Sequence, residues 1–185
     1  MNPRCFVRIA GAGLIALIVY GCETLPEGPF PRATEVGWWH GEDASGPAKI
    51  VVHIGEQKAY FYKGKSLVGE ATVSTGKPGF STPPGHYTVV SKDIDHVSTV
   101  FGDYVDDYGN VVRSNIDSRK DRQPSGTHFD GARMPYAMFF RGGYAMHQGY
   151  VPPFAASHGC IRLPGQMAIR FFENAPVGTP VTVKE

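Results

Sequence analysis

Three successive runs of β-branched and aromatic residues, separated by short turns, constrain the fold of this chain more than any other feature. The runs cover residues 50–54, 58–62 and 66–73, and the turns between them are Gly55-Glu56-Gln57 and Lys63-Gly64-Lys65. Such side chains favour extended backbone, and glycine beside polar residues favours tight turns. The pattern predicts a meander of β-hairpins.

The remainder of the domain is also predicted to contain more strands than helices. Four further strands are predicted at residues 87–91, 137–140, 144–147 and 181–183. The segment from Gly165 to Asn174 has apolar residues at the spacing of one short helix. We therefore predict that residues 49–185 form a mainly β domain, a sandwich or barrel-like fold with one or two short helices.

One stretch of this domain, from Asp95 to Gly131, has a different composition. It is rich in Asp, Asn, Ser, Arg and Gly and is too long for a simple connection. Long loops in small domains are commonly functional. The sequence predicts either a loop that caps a substrate or an irregular insertion.

The first 21 residues have the pattern of a secretory signal. Arg4 and Arg8 precede an apolar run from Ile9 to Tyr20, which is short for a membrane span but typical of an export signal. Residues 22–48 are rich in Pro and Gly and predict a tether that leads to the folded domain.

The end of this signal suggests a lipid anchor. Val19-Tyr20-Gly21-Cys22 has the form of a lipoprotein processing site, which predicts lipidation of Cys22 and attachment to a membrane surface. Glu23, where Asp would favour retention, is similar to the sorting signal of outer-membrane lipoproteins. The predicted location is therefore periplasmic, at the outer membrane, with simple cleavage or an uncleaved anchor as the alternatives.

Within the predicted tether, Trp38 and Trp39 interrupt the polar composition. Large aromatic side chains are seldom left in water. We expect this part of the tether to make a single contact with the surface of the domain.

Charge and composition exclude some classes of protein. The 18 basic and 17 acidic residues give a net charge of +1, and no basic stripe is present, so nucleic acid is not an expected partner. A hydrophobic content of 42% is enough for one core, which argues against a disordered mature region.

The cysteines provide the first chemical clue. Cys5 and Cys22 belong to the export segment, which leaves Cys160 as the one cysteine of the folded domain. In an oxidising compartment an unpaired thiol is either buried and inert or retained for its reactivity.

The neighbours of this cysteine favour reactivity. Attack by sulfur needs the thiolate, and His147, His158 and Arg162 could supply a base or a positive charge. Gly159 leaves the backbone beside the sulfur open, so that N–H groups could stabilise an oxyanion. Each residue also has a structural interpretation, as a hydrogen-bonding, loop-orienting or ion-pairing side chain.

Other chemistries fit these residues less well. A cysteine and two histidines could bind zinc, but no second cysteine is present and the remaining histidines are scattered. Ser157 lacks the glycine-flanked elbow of a nucleophilic serine and is better interpreted as a loop hydroxyl. The sequence predicts no metal and no organic cofactor.

The segment Ser157-His158-Gly159-Cys160-Ile161-Arg162, preceded by His147, resembles the signature of the L,D-transpeptidase (YkuD) catalytic domain. The similarity continues in Gln57 with Tyr60 to Tyr62, in residues 73–77 and in residues 82–87. It extends over about residues 49–185.

This resemblance implies a mixed β-sandwich in which a long capping element lies over a groove. It implies attack on the third residue of a peptidoglycan tetrapeptide stem, usually meso-diaminopimelate, with loss of D-alanine and formation of a thioester. A stem amine, giving a 3-3 cross-link, or a lysine of a wall-anchored lipoprotein then attacks the thioester. A carbapenem would act as a covalent inhibitor.

The resemblance also implies residue roles. Cys160 would be the nucleophile and His147 the general base and acid, oriented by the main-chain carbonyl of Gln148. Residues 158–160 would supply oxyanion N–H donors, and Arg162 would position the substrate or the loop that carries the cysteine.

The sequence departs from the family pattern at two points, and it allows other activities. Pro164 stands where many relatives have asparagine, and no LysM-type wall-binding module is visible. Hydrolysis, as a carboxypeptidase or as an amidase that releases wall-linked protein, is an alternative to transfer. A non-catalytic wall-binding lipoprotein is another, and the acyl acceptor is undetermined.

Overall fold

A computed structural model describes residues 37–185, which form two β-sheets and one α-helix. The prediction of a mainly β fold is confirmed. The predicted export segment and Cys22 lie outside the described residues. Within residues 37–185, no helix is both long enough and apolar enough to cross a membrane.

The elements follow one another in a simple order. The strands are β1 (Gly37–Trp39), β2 (Ala48–His53), β3 (Lys58–Lys63), β4 (Ser66–Thr72), β5 (Gly85–Thr88), β6 (Ser91–Val105), β7 (Val111–Asp117), β8 (His128–Arg141), β9 (Tyr144–Gln148), β10 (Ile161–Leu163) and β11 (Pro180–Lys184). The helix α1 (Gly165–Asn174) has the predicted bounds and lies between β10 and β11.

The first sheet has the strand order β1-β4-β3-β2-β11-β5. The predicted meander is present as β2, β3 and β4, which pair antiparallel in sequence order. The last strand, β11, joins this meander in parallel beside β2 and pairs antiparallel with β5. The last strand therefore lies inside the sheet, and β1 and β5 form its edges.

The edge strand β1 comes from the end of the stretch predicted as a tether. Trp39 pairs with Gly69 of β4, and its ring packs 5.2 Å from Phe61 and 6.2 Å from Phe171. A β-carbon at Gly69 would lie 2.5 Å from this ring. The tryptophan thus joins the core itself, because a glycine on the neighbouring strand makes room for it.

The second sheet has the order β10-β9-β8-β6-β7, with β10 parallel to β9 and the other pairs antiparallel. One face of this sheet packs into the main core. Its fully buried residues are Met138, Phe140, Met146, Ile161 and Leu163, and they share one cluster with the aliphatic residues of the first sheet and with Phe171 of α1. Side chains alternate between the faces of a strand, so the intervening residues point to the opposite face.

The stretch predicted as a long loop is strand for most of its length. The end of β6, all of β7 and the start of β8 form an antiparallel extension of the second sheet, which we call the ribbon (residues 98–132). The sequence pattern is misleading because both faces of the ribbon are largely exposed, so no apolar alternation marks its strands. Within the ribbon, Tyr104 and Ile116 are buried.

Candidate active site

Strand pairing places three of the predicted site residues on one face of the second sheet. Arg162 of β10 pairs directly with His147 of β9, and paired residues project to the same face. Cys160 lies just before β10 and packs beside Ala145, which is two positions before His147 on β9 and therefore on the same face. We call it the site face; Met146 and Ile161 point to the opposite, core face.

The imidazole of His147 is 6% exposed and has a fixed orientation. Its Nδ1 lies 2.7 Å from the carbonyl oxygen of Gln148. Since a carbonyl can only accept, Nδ1 carries the proton of the neutral ring, and Nε2 retains a lone pair. This tautomer is the one that a general base requires.

The surroundings also determine the charge of this ring. Burial lowers the pKa of His147 to about 4; the Gln148 carbonyl opposes this effect, while the charges of Arg162 and His96 add to it. Burial is the largest cause because a charged imidazole loses its hydration in the protein interior. His147 is therefore neutral at pH 7.

The thiol of Cys160 is partly exposed and packs beside Ala137 and Ala145. It lies 3.7 Å from the carbonyl oxygen of Gly143. Burial raises the pKa of the Cys160 thiol, although the backbone N–H of Ala145 and the charge of Arg162 oppose this. Cys160 is thus a neutral thiol and His147 a neutral imidazole at pH 7.

The turn that presents the cysteine, residues 157–160, is called the catalytic loop below. Ser157 is buried, and its hydroxyl donates to the Cys160 carbonyl and accepts from the Gly159 N–H at 3.0 Å. This matches the interpretation of Ser157 as a loop hydroxyl. One of the three N–H groups predicted for an oxyanion hole, that of Gly159, is therefore already bonded inside the protein.

Gly159 meets two requirements that exclude a larger residue. Its φ is +114°, a backbone conformation that side chains rarely adopt. A β-carbon there would also lie 2.7 Å from the ring of Tyr144. The glycine is therefore needed for the shape of the catalytic loop.

A second hydroxyl connects this loop to a distant part of the chain. Thr82 is 1% exposed, and its hydroxyl donates to the Gly159 carbonyl at 2.8 Å and accepts from the Gly76 N–H at 2.9 Å. Both partners are main-chain groups that would otherwise be buried without a bond. Sequence reasoning did not identify this role of Thr82, although it noted the surrounding segment.

The segment around Ser74 continues this support. Ser74 and Arg162 exchange two backbone hydrogen bonds, of 3.0 and 2.9 Å. The side chain of Gln57 brackets Thr75, accepting from its N–H at 2.9 Å and donating to its hydroxyl at 2.7 Å. Outside the cysteine motif, the family resemblance rested in part on Gln57, residues 73–77 and residues 82–87. These segments thus contribute residues that hold Cys160 in place.

His158 has a packing role. Its ring stacks on Phe101 of the ribbon, with centroids 4.5 Å apart, and meets Phe80 edge to face at 4.7 Å. Burial, with the charges of Lys77 and Arg162, lowers the pKa of His158. Among the described residues no hydrogen bond joins this ring to Cys160, and its contacts attach the ribbon to the catalytic loop.

Arg162 is half-buried and forms no ion pair within residues 37–185. Burial lowers the pKa of its guanidinium, and the nearby Cys160 sulfur opposes that effect. Within the described part of the chain, the cation thus stands beside the thiol without a carboxylate partner.

Sequence reasoning missed a pair of residues at the rim of the site face. His96 lies 3.0 Å from a carboxylate oxygen of Asp93, and its ring packs edge to face on Phe139 at 4.9 Å. A histidine in a polar stretch gives no signal of this placement. Nowhere in residues 37–185 do three or more His, Cys, Asp or Glu side chains come together as metal ligands.

The sequence and the fold agree on one family. A model of the YkuD family, the L,D-transpeptidase catalytic domain, matches residues 47–183. The chain therefore belongs to the YkuD family of L,D-transpeptidase catalytic domains.

Several solved structures share the fold. An L,D-transpeptidase from Mycobacterium smegmatis is 22% identical with a TM-score of 0.58, and the match covers 75% of this chain and 59% of that one. L,D-transpeptidase 1 of Mycobacterium tuberculosis is 21% identical with a TM-score of 0.55, over 75% of this chain and 62% of that one.

A complex of L,D-transpeptidase LdtMt1 with imipenem is 22% identical with a TM-score of 0.56, over 74% of this chain and 58% of the other. The chain thus spans less than two thirds of the length of each of these proteins. No curated protein gives a significant match.

Proposed function

We propose that this protein is a peptidoglycan L,D-transpeptidase in which Cys160 carries the acyl group and His147 transfers protons. The observation that carries the proposal is the parallel pairing of β9 and β10, which sets His147, with Nε2 unprotonated, and Cys160 on one face. Family membership supports the same activity.

The first half-reaction forms a thioester. Nε2 of His147 takes the proton of the Cys160 thiol as sulfur attacks the carbonyl carbon of the third residue of a tetrapeptide stem. The resulting oxyanion is stabilised by the backbone N–H groups of His158 and Cys160, since that of Gly159 is bonded to Ser157. The C–N bond then breaks, and D-alanine leaves with the proton held by His147.

The second half-reaction transfers the acyl group to an amine. The neutral amine attacks the thioester carbonyl, its proton passes to His147, and the C–S bond breaks. The proton then returns to sulfur, which restores the thiol and the neutral imidazole. Arg162, which has no carboxylate partner among residues 37–185, positions the anionic substrate.

The location follows from the sequence pattern. We place the enzyme in the periplasm, attached to the outer membrane through a lipid on Cys22, where it meets peptidoglycan stems. This assignment rests on the apolar segment and the processing-site pattern that ends at Cys22.

The experiment is a mass measurement after incubation of the full chain with imipenem. The protein should gain one inhibitor mass, and Cys160→Ala should gain none. Cys22→Ala is the matched control and should react like the wild type, because residue 22 lies outside the catalytic domain. An adduct that persists in Cys160→Ala would overturn the assignment of the nucleophile.

Product analysis separates the possible activities. With tetrapeptide muropeptides, a transpeptidase gives 3-3 cross-linked dimers and a carboxypeptidase gives shortened stems. Stem binding with neither product would identify a wall-binding protein instead.

A further inference from the structure

The site face carries a second imidazole, that of His96, which the proposed mechanism does not use. His96 pairs across strands with Met134, and Asp93 pairs with Ala137. Met134 and Ala137 pack in one small apolar cluster with Cys160. Since paired residues project to the same face of a sheet, both polar side chains lie on the face that carries the thiol.

These two polar side chains form a pair with a defined orientation. Nδ1 of His96 lies 3.0 Å from one carboxylate oxygen of Asp93, and the other oxygen accepts the N–H of Asp95 at 3.1 Å. The ring also packs edge to face on Phe139 at 4.9 Å. Because a carboxylate can only accept, Nδ1 carries the proton of the neutral ring and Nε2 retains a lone pair. This is the arrangement of a general base that a carboxylate orients.

The two imidazoles of the site face differ in their contact with solvent. His147 is 6% exposed, whereas the side chain of His96 is 29% exposed and that of Asp93 is 48% exposed. Burial lowers the pKa of His147 and the charge of His96 adds to this effect, so the two rings lie close enough to interact. His96 is therefore the imidazole that can take a water molecule from bulk solvent and return a proton to it.

Resting on the proposed function, we propose that this site has a second activity, hydrolysis of the Cys160 thioester, in which His96 is the catalytic base and Asp93 positions it. Nε2 of His96 takes a proton from a water molecule as the water oxygen attacks the thioester carbonyl. The C–S bond then breaks and sulfur leaves as a thiolate. The proton passes from His96 through solvent to sulfur, which restores the thiol.

The net result of this step is removal of D-alanine from a tetrapeptide stem, which leaves a tripeptide that ends in a carboxylate. Each acyl-enzyme therefore partitions between an amine, which gives a cross-link, and water, which gives the tripeptide. The proposed transfer uses His147 for both of its half-reactions. Loss of His96 should consequently change the partition and leave the formation of the thioester intact.

The experiment measures this partition with the full chain and a tetrapeptide muropeptide, counting tripeptides and 3-3 dimers in one reaction. His96→Gln keeps a polar side chain but removes the base, so the ratio of tripeptide to dimer should fall at least about tenfold, because a positioned base typically contributes about a hundredfold or more. Asp93→Asn should lower the ratio in the same direction. A purely structural role would lower both products together and leave the ratio unchanged.

Recovery from the imipenem adduct is a second measurement, followed by mass after free inhibitor is removed. His96→Gln should be acylated within about threefold of the wild-type rate, yet regain its unmodified mass at least about tenfold more slowly. Recovery of the wild type should also be slower in D2O, because a proton moves as water attacks. His128→Gln and Asp107→Asn, at exposed positions of the ribbon, are the matched controls and should behave like the wild type.

The outcomes separate this activity from the proposed transfer. Dimers with an unchanged ratio in His96→Gln, or a wild-type adduct that never recovers and yields no tripeptide, would overturn the hydrolytic activity alone. Tripeptide without dimer, lost in His96→Gln, would support hydrolysis and contradict transfer. Absence of any adduct or product in the wild type would overturn both.

Discussion

The catalytic loop and the ribbon meet where His158 stacks on Phe101, but they are stabilised in different ways. The loop is held by buried hydroxyls, those of Ser157 and Thr82, bonded to main-chain groups. The ribbon has ion pairs near its surface, such as Arg113 with Asp121, and its Phe101 ring stacks on His158 of the loop.

This difference separates two tasks. Buried hydrogen bonds to main chain are costly to break, so they keep the sulfur in one position. Exposed ion pairs contribute little and leave an element adaptable. We infer that the loop holds the Cys160 sulfur in a fixed position and that the ribbon can adapt its shape.

The largest effect is expected for Thr82→Val, which removes the hydroxyl but keeps the shape of the side chain. The Gly76 N–H and the Gly159 carbonyl would then lack partners, so the free energy of unfolding should fall by about 1–3 kcal/mol, and imipenem acylation should slow. Urea denaturation measures the first effect. Thr88→Val, at an exposed position of β5, should change the stability by less than about 0.5 kcal/mol; equal losses in the two variants would contradict the comparison.

The pH dependence of acylation tests the buried environment of His147. Protonated His147 cannot accept the proton of the thiol, and its pKa is lowered to about 4, so the imipenem acylation rate should decline only as the pH falls through about 4. In the unfolded chain, His147 titrates near pH 6.5. The neutral ring therefore contributes its full stability above about pH 6.5, and this contribution is lost as the pH falls from about 6.5 to about 4.

Stopped-flow acylation between pH 3.5 and 8, with protein fluorescence to monitor folding, checks this prediction. His147→Gln should be acylated far more slowly, and its acylation rate should not decline as the pH falls through about 4. A midpoint near pH 6.5 in the wild type would mean that the imidazole is hydrated in the working enzyme.

The smallest effect is expected for Phe101→Leu in the ribbon. This change removes the ring stack on His158 but keeps most of the apolar volume, so stability should fall by about 0.5–1.5 kcal/mol. The KM for the stem should rise severalfold, while imipenem acylation should stay within about threefold of the wild type. Val112→Ala, at an exposed position on β7, serves as the control; a larger loss than in Thr82→Val would show that the ribbon is as fixed as the loop.

Local patterns predicted much of the fold. The hairpins from β2 to β4 follow from β-branched runs and turn residues, and α1 follows from its apolar spacing. The neighbourhood of Cys160 followed from a motif within six consecutive residues. In each case the information lies close together in the sequence, where propensity and spacing act.

The rest depends on contacts that a local pattern does not contain. The bond from Thr82 to Gly159 joins residues 77 positions apart, and the stack of Phe101 on His158 depends on how the ribbon folds back. The strands of the ribbon escaped detection because solvent surrounds both of their faces. The lowered pKa of His147 depends on burial, which a sequence gives only after the fold is known.

The interruption in the pairing of β6 with β8 separates the ribbon from the sheet beneath it. Residues 91–97 keep one register with residues 133–139, and the pairing shifts before Gly102 meets Gly131. Residues can therefore be inserted or deleted beyond that point without shifting the register of the strands that support His147. We expect the tip of the ribbon, from Gly102 to Gly131, to behave as an exchangeable module. Grafting another tip onto the same sheet should change partner choice and preserve the chemistry.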